Sequence, residues 1–275
     1  MNSSDAGARA RILADVVRLT QRAGAALVAM QRAGALETRA KADGSPLTRA
    51  DEAAHALLAS GLAQIAPYGV FSEESEPHEN AQRRSSARLW IVDPLDGTRD
   101  YIRGSNAFSV NVALVENGVP VLGVIDAPGL GVTYYAQRGA GAFRLAAGTA
   151  PQALRCARSI VDGARIVVSG SDRRVAWSAV ACFARARVEA VSSSVKLGFV
   201  ADATAFAYPR LTPSSEWDIA AGHAILAEAG GRVIGPDGRD LTYNKIDPLN
   251  PAFVATGVPA VAAELTAILT AMRTE

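Results

Sequence analysis

The stretch Leu89-Trp-Ile-Val-Asp-Pro-Leu-Asp-Gly-Thr-Arg-Asp-Tyr-Ile102 constrains this chain more than any other. Leu89 to Val92 are apolar and β-favouring, the pattern of a strand covered on both faces. Asp93-Pro94 is expected to end that strand, because proline cannot donate to a ladder. Asp93, Asp96 and Asp100 follow closely around Gly97, which can take a positive φ and let backbone approach a ligand. Two carboxylates with the Leu95 carbonyl between them are hard oxygen donors, the kind that Mg²⁺ or Mn²⁺ takes. The same residues also make an ordinary solvated turn, so their meaning depends on the rest of the chain.

At 275 residues the chain can bury a large core as one domain or two. Its 49% hydrophobic content and abundant alanine describe a globular protein with closely packed helices. With 28 basic and 27 acidic residues the net charge is +1, which excludes a global bias toward nucleic acid polymers or anionic membranes. An anionic ligand must therefore be met by local charges. Cys156 and Cys182 have neither metal-motif spacing nor the number of a disulfide framework, so a reducing cytoplasm is expected. Asp5 and Arg9 precede any apolar run, and no long uncharged apolar segment occurs, so neither a signal peptide nor a transmembrane span is expected.

Leu13, Val16, Val17, Ala23, Leu27 and Met30 recur at helical spacing and predict an amphipathic helix from Arg9 to about Gln31. A second helix runs through Leu57, Leu58 and Leu62, with Thr48 and Asp51 spaced as a capping-box variant at its start. Val70-Phe71 leads into the acids Glu73, Glu74 and Glu76, and the charged segment from Glu76 to Arg88, with His78, Arg83 and Arg84, reads as a mobile loop or lid. Strands are expected at 108–115, 121–125, 132–136 and 142–145, the first pair joined by an Asn117-Gly118 hairpin turn. Two helices followed by a mostly antiparallel sheet thus form a first domain, residues 1–155, with a boundary inside Gly148 to Gly163.

The second part, residues 156–275, alternates: strand 165–169, helix 172–186, strand 188–191, helix 195–201 and strand 205–208. A helix then starts at Ser214 or Ser215 and ends at Gly230, with Asp218 in its first turn, placed to complement the helix dipole. His223 on that helix has small apolar neighbours and reads as a packed residue. Strands near Arg232 and Phe253 and a final helix from Ala260 complete the chain.

Four motifs occur in order: Lys41-x-Asp-x-Ser-Pro-x-Thr48-x-x-Asp51, Ser72-Glu-Glu74, Asp93-Pro-Leu-Asp-Gly-Thr98 and Trp217-Asp-x-Ala-Ala-Gly222. Together they resemble the inositol monophosphatase superfamily of lithium-sensitive, magnesium-dependent phosphomonoesterases. Ser193-Ser-Val-Lys196, Tyr208-Pro-Arg210 and His223 are similar to its bacterial 3'(2'),5'-bisphosphate nucleotidase branch, the CysQ type of sulfate assimilation. The resemblance implies an α+β or α/β fold, a layered αβαβα sandwich. It implies metal ligation of two or three Mg²⁺, with Mn²⁺ as a substitute, by Glu73, Asp93, Asp96, Asp218 and the Leu95 carbonyl, with Glu74 at a weaker position. It makes Asp51 and Thr98 the pair that orients and deprotonates the attacking water. Substrate contacts would come from Glu73, Leu95, Asp96, the Gly97 and Thr98 amides, Ser193, Lys196, Arg210 and Asp218.

The implied substrate is adenosine 3',5'-bisphosphate, the implied assembly a monomer or homodimer, and the implied location the cytoplasm, including its face of the inner membrane. An inositol or sugar monophosphatase is the alternative within this chemistry, and a non-catalytic metal-binding regulator the alternative outside it. Three departures bear on substrate choice. Ser169-Gly-Ser-Asp172 replaces the branch's Ser-Arg-Ser-His, Ser192 replaces a glycine, and Arg99-Asp100-Tyr101 replaces Lys-Glu-Phe.

Overall fold

The computed structural model describes residues 3–34, 37–41, 44, 46–75, 83–172 and 186–272. The N-terminal helix α1 (Ser3–Arg32) and α2 (Arg49–Ile65) flank a short hairpin, β1 (Thr38–Ala40) with β2 (Pro46–Thr48), which the sequence patterning does not reveal. Next come β3 (Gly69–Ser72), β4 (Arg88–Asp96), the short α3 (Thr98–Ile102), β5 (Ser109–Glu116), β6 (Val119–Ala127), β7 (Val132–Gln137), β8 (Gly141–Ala146) and β9 (Gln152–Ala153). These strands form one seven-stranded sheet in sequence order, parallel between β3 and β4 and antiparallel elsewhere. Asn117 and Gly118 both have positive φ, 51° and 78°, as the expected hairpin turn requires.

A second sheet has the order β11-β10-β12-β16-β14, built from β10 (Arg165–Val168), β11 (Arg187–Ala190), β12 (Ala207–Arg210), β14 (Arg232–Ile234) and β16 (Phe253–Thr256). Between and around these strands lie α4 (Val195–Ala201), β13 (Ser214–Ser215), α5 (Glu216–Glu228), β15 (Leu249–Asn250) and α6 (Pro259–Met272). The helix expected at 172–186 lies almost wholly outside the described residues, as do Cys182 and residues 76–82 of the expected lid.

Side-chain alternation along β4 sorts the layers. Trp90 and Val92 face the α1–α2 core with Val16, Leu27, Leu58 and Leu62, while Leu89 and Ile91 face a core shared with Leu197 of α4, Ile219 and Ile225 of α5, and Tyr208 and Phe253 of the second sheet. The far face of that sheet is closed by Val261, Leu265 and Leu269 of α6. The order is helices, sheet, helices, sheet, helix: the expected αβαβα sandwich. Helix α5 sits at its centre, and a Cβ on Gly123 of β6 would lie 2.1 Å from the Ala221 carbonyl oxygen. No helix among the described residues is long and apolar enough to cross a membrane.

Two expectations need correction. The β4 strand does not stop at Asp93-Pro94 but continues to Asp96. Asp93 pairs with Asn111 and Asp96 with Ser109, so three steps on β4 oppose two on β5. This bulge absorbs the donor that Pro94 lacks. The second concerns the supposed lid, whose end is anchored. The Arg83 guanidinium is buried, donates to Asn244 Oδ1 (3.0 Å) and to the Lys245 carbonyl (2.8 Å), and stacks 3.9 Å from the Phe71 ring centroid.

Candidate active site

In a regular strand, residues three apart point to opposite faces. The extra residue in β4 reverses that parity, and one carboxylate oxygen each from Asp93, Asp96 and Asp218 lies within 4.8 Å of the other two. Asp218 comes from the first turn of α5, where its Oδ2 also accepts from the Ser215 backbone N–H at 3.1 Å. Asp93 is fully buried and its Oδ1 accepts from the Leu95 N–H at 3.0 Å. Burial, then repulsion from Glu73, Asp96 and Asp218, pushes Asp93 well above the usual carboxylate range. Burial and the charges of Asp96 and Glu73 do the same to Asp218. Such a cluster calls for a neutralising cation, and its all-oxygen donor set fits a hard divalent ion such as Mg²⁺ or Mn²⁺.

Glu73 and Glu74, just past β3, are held by a residue to which the sequence reading gave no role. Lys41 Nζ donates to Glu73 Oε1 at 2.7 Å and to Glu74 Oε1 at 2.6 Å. Burial alone would lower the Lys41 pKa, but the two carboxylates outweigh it and hold the ammonium above its ordinary value. Burial also raises Glu73, and lifts Glu74 to about 7 against the pull of Lys41. Lys41 opens the first motif, which was its only signal.

At Asp51 the capping and the catalytic readings coexist on two oxygens. Oδ2 accepts from the Thr48 N–H (2.7 Å) and from Thr48 Oγ1 (2.6 Å), completing a capping box on α2. Oδ1 faces Thr98 Oγ1 at 3.4 Å, and that hydroxyl also lies 3.0 Å from the Leu95 carbonyl oxygen. Burial raises the Asp51 pKa in spite of the Thr48 bonds. Gly97 caps α3 at φ 92°, and a Cβ there would press on the Ala107 carbonyl oxygen at 3.1 Å.

A cavity of about 310 Å³ opens over these groups, lined by Glu73, Asp96, Gly97, Thr98 and Asp218 and also by Ser193, Lys196, Arg210, Ser169 and Tyr208. The Ser194 N–H and hydroxyl lie against Asp96 Oδ2, and Asn111 Nδ2 reaches both that oxygen (3.5 Å) and Ser194 Oγ (3.0 Å). Lys196 is buried, and its Nζ donates to the carbonyls of Val191 (3.0 Å) and Ser193 (2.5 Å). It thereby braces a loop in which Ser193 has φ 60°, and burial lowers its pKa to about 8. His223 is buried as expected, with Nδ1 2.9 Å from the Tyr243 hydroxyl.

The departures from the nucleotidase pattern find partners. The Ser192 hydroxyl donates to Asp100 Oδ2, so two of them meet each other at the cavity rim. Asp172, also buried, accepts from Arg210 Nη1 (3.3 Å), from the Leu211 N–H (3.3 Å) and from Thr212 Oγ1 (3.0 Å).

Known proteins resemble this chain in sequence and in fold. Residues 12–271 match the model of the inositol monophosphatase family. The chain is 38% identical over 252 residues to the 3'(2'),5'-bisphosphate nucleotidase CysQ of Salmonella typhimurium, covering 89% of this chain and 99% of the relative. It is 36% identical to the enzyme of the same description from Escherichia coli K12, over 88% of this chain and 98% of the relative. Among solved structures it superposes on CysQ from Bacteroides thetaiotaomicron with a TM-score of 0.74 at 32% identity, covering 90% and 96% of the two chains. An inositol monophosphatase structure from Thermotoga maritima also gives 0.74, at 25% identity and 94% and 96% coverage. With the motif order, the αβαβα layers and the converging carboxylates on one chain, this protein belongs to the inositol monophosphatase family.

Proposed function

We propose that this protein is a magnesium-dependent 3'(2'),5'-bisphosphate nucleotidase that converts adenosine 3',5'-bisphosphate to AMP and phosphate. One observation carries the reading: Asp96 and Asp218, which cluster with the buried Asp93, line the same cavity as the cations Lys196 and Arg210. That pairing suits a substrate with one phosphate at the acids and a second at the cations. Identity of 32–38% to bacterial 3'(2'),5'-bisphosphate nucleotidases over most of the chain supports it.

Asp93, Asp96, Asp218, Glu73 and the Leu95 carbonyl would hold two or three Mg²⁺, with Glu74 serving a weaker position that Lys41 contests. When bound, the ions neutralise the ester oxygens and bring the pKa of a coordinated water toward neutrality. Asp51 acts as the general base: with Oδ2 committed to Thr48, Oδ1 draws a proton from the attacking water through Thr98 Oγ1. The Gly97 and Thr98 amides offer donors to the transferred phosphate. The presence of this pair within reach argues for turnover rather than metal sensing alone. Resemblance to the nucleotidase branch supports a role in sulfate assimilation in the cytoplasm, and inhibition by lithium at a magnesium position is expected with it.

The test is phosphate release from adenosine 3',5'-bisphosphate, inositol 1-phosphate and fructose 1,6-bisphosphate, with Mg²⁺ and with excess chelator. The nucleotide is expected to lead in kcat/KM by at least about tenfold, ~1.4 kcal/mol of transition-state binding. A preference for inositol phosphate, or full turnover in chelator, overturns the reading.

A further inference from the structure

We infer that Asp172 is a positioning residue for Arg210 and, through it, sets the affinity of the site for a substrate's second phosphate. The inference rests on the nucleotidase reading and concerns a residue where this chain departs from the pattern of that branch.

The geometry is specific. Asp172 ends a single 3₁₀ turn after β10, its backbone N–H bonded to the Ser169 carbonyl at 3.0 Å. Its side chain is withdrawn from solvent entirely, and among the described residues its three acceptor bonds go to the segment carrying Arg210. Oδ2 takes Arg210 Nη1 and the Leu211 N–H, and Oδ1 takes Thr212 Oγ1. A buried carboxylate is tolerated only when its oxygens are satisfied, so this one is pinned in place and pins its donors in turn. The guanidinium is held further by Nε to the Thr212 carbonyl (3.1 Å) and Nη2 to the Pro213 carbonyl (3.4 Å). The result is a cation on the cavity wall with little freedom to lose when an anion arrives.

Asp172 itself is not among the residues lining the cavity, whereas Arg210 is. Its influence on substrate therefore passes through the arginine. The neighbouring Gly170 does line the cavity and has open space where a Cβ would sit, so the side chain two residues on, not the one at the wall, carries the effect. Without Asp172 the arginine keeps its charge but loses the anchor on Nη1, and the turn from Leu211 to Thr212 loses two acceptors. The expected loss falls on binding of a doubly phosphorylated substrate.

The experiment uses the full-length enzyme with Mg²⁺ and measures kcat and KM for adenosine 3',5'-bisphosphate and for a nucleotide with a single phosphate. D172A is expected to raise KM for the bisphosphate at least tenfold, with the loss in KM rather than kcat. D172N is the conservative variant. One amide oxygen can accept from Arg210 and the Leu211 N–H while the amide NH₂ donates to Thr212 Oγ1, so KM should return to within about threefold of the parent. In the R210A background, adding D172A should change nothing further, because the residue it steers is gone. Thermal melting of each variant shows whether it folds, and D172N carries the test if D172A does not.

A D172A penalty that persists in full in the R210A background, or a D172N penalty as large as that of D172A, overturns the positioning role. If R210A discriminates between the two substrates and D172A does not, Asp172 alone is wrong. If R210A itself penalises both substrates equally, the bisphosphate reading fails instead.

Discussion

Replacing Asp51 by asparagine separates the observed cap from the proposed base, the two duties assigned to its carboxylate. Oδ2 takes two bonds from Thr48, at 2.7 and 2.6 Å, and an asparagine oxygen can accept both. Losing a cap outright costs about 1 kcal/mol, so a variant that retains it should lose less, a drop in Tm of no more than about 3 °C for a chain of this size. Oδ1, facing Thr98 Oγ1 at 3.4 Å, is a different matter, because an amide cannot take up a proton there. Removal of a positioned general base costs roughly two to four orders of magnitude in kcat, or about 3–5 kcal/mol in the barrier. The assay is saturating-substrate turnover with excess Mg²⁺, run beside thermal melting and beside D51A, which loses both functions. A D51N enzyme with near-parent kcat would refute the assignment of Asp51 as base. A melting loss equal to that of D51A would refute the division of labour between its two oxygens.

Asp93→Asn should abolish turnover, as should chelation, without lowering the melting temperature of the metal-free protein, because it removes one of several mutually repelling buried charges; unfolding of the variant in the absence of metal is the counter-result. Glu74 is raised from 4.5 to about 7, so the stability tied to its protonation is complete below about 4.5 and is lost as pH rises through 7, with Glu73, Asp93 and Asp218 shifted in the same sense. Mg²⁺ should therefore raise Tm more at pH 8 than at pH 5.5. His223, held down to about 4 by burial, acts oppositely on absolute stability but cancels in the difference with and without the ion. Gly123→Ala would drive a Cβ against the Ala221 carbonyl and shift α5. It should cost about 1–3 kcal/mol in urea unfolding and also depress activity, because α5 carries Asp218.

What the sequence determined by itself was local. The continuous apolar run from Leu89 to Val92 dictated a strand buried on both faces, Thr48 with Asp51 a helix cap, and Asn117-Gly118 a tight hairpin, because each rule acts among residues a few positions apart. The order of the acid motifs was equally readable, since residue types and short spacings carry it. That the acids come together was decided by tertiary structure. Asp93 and Asp96 share a face only because β4 is bulged against β5, and Asp218 joins them only because α5 lies close on β6 at Gly123. Lys41 reaches Glu73 across 32 residues, Asp172 reaches Arg210 across 38, and Arg83 is buried against Asn244 across 161, where charge patterning alone pointed to a free surface loop. A charged side chain in sequence looks solvated by default. Whether it finds a partner depends on which distant backbone the packing of the layers brings beside it, and no local rule encodes that.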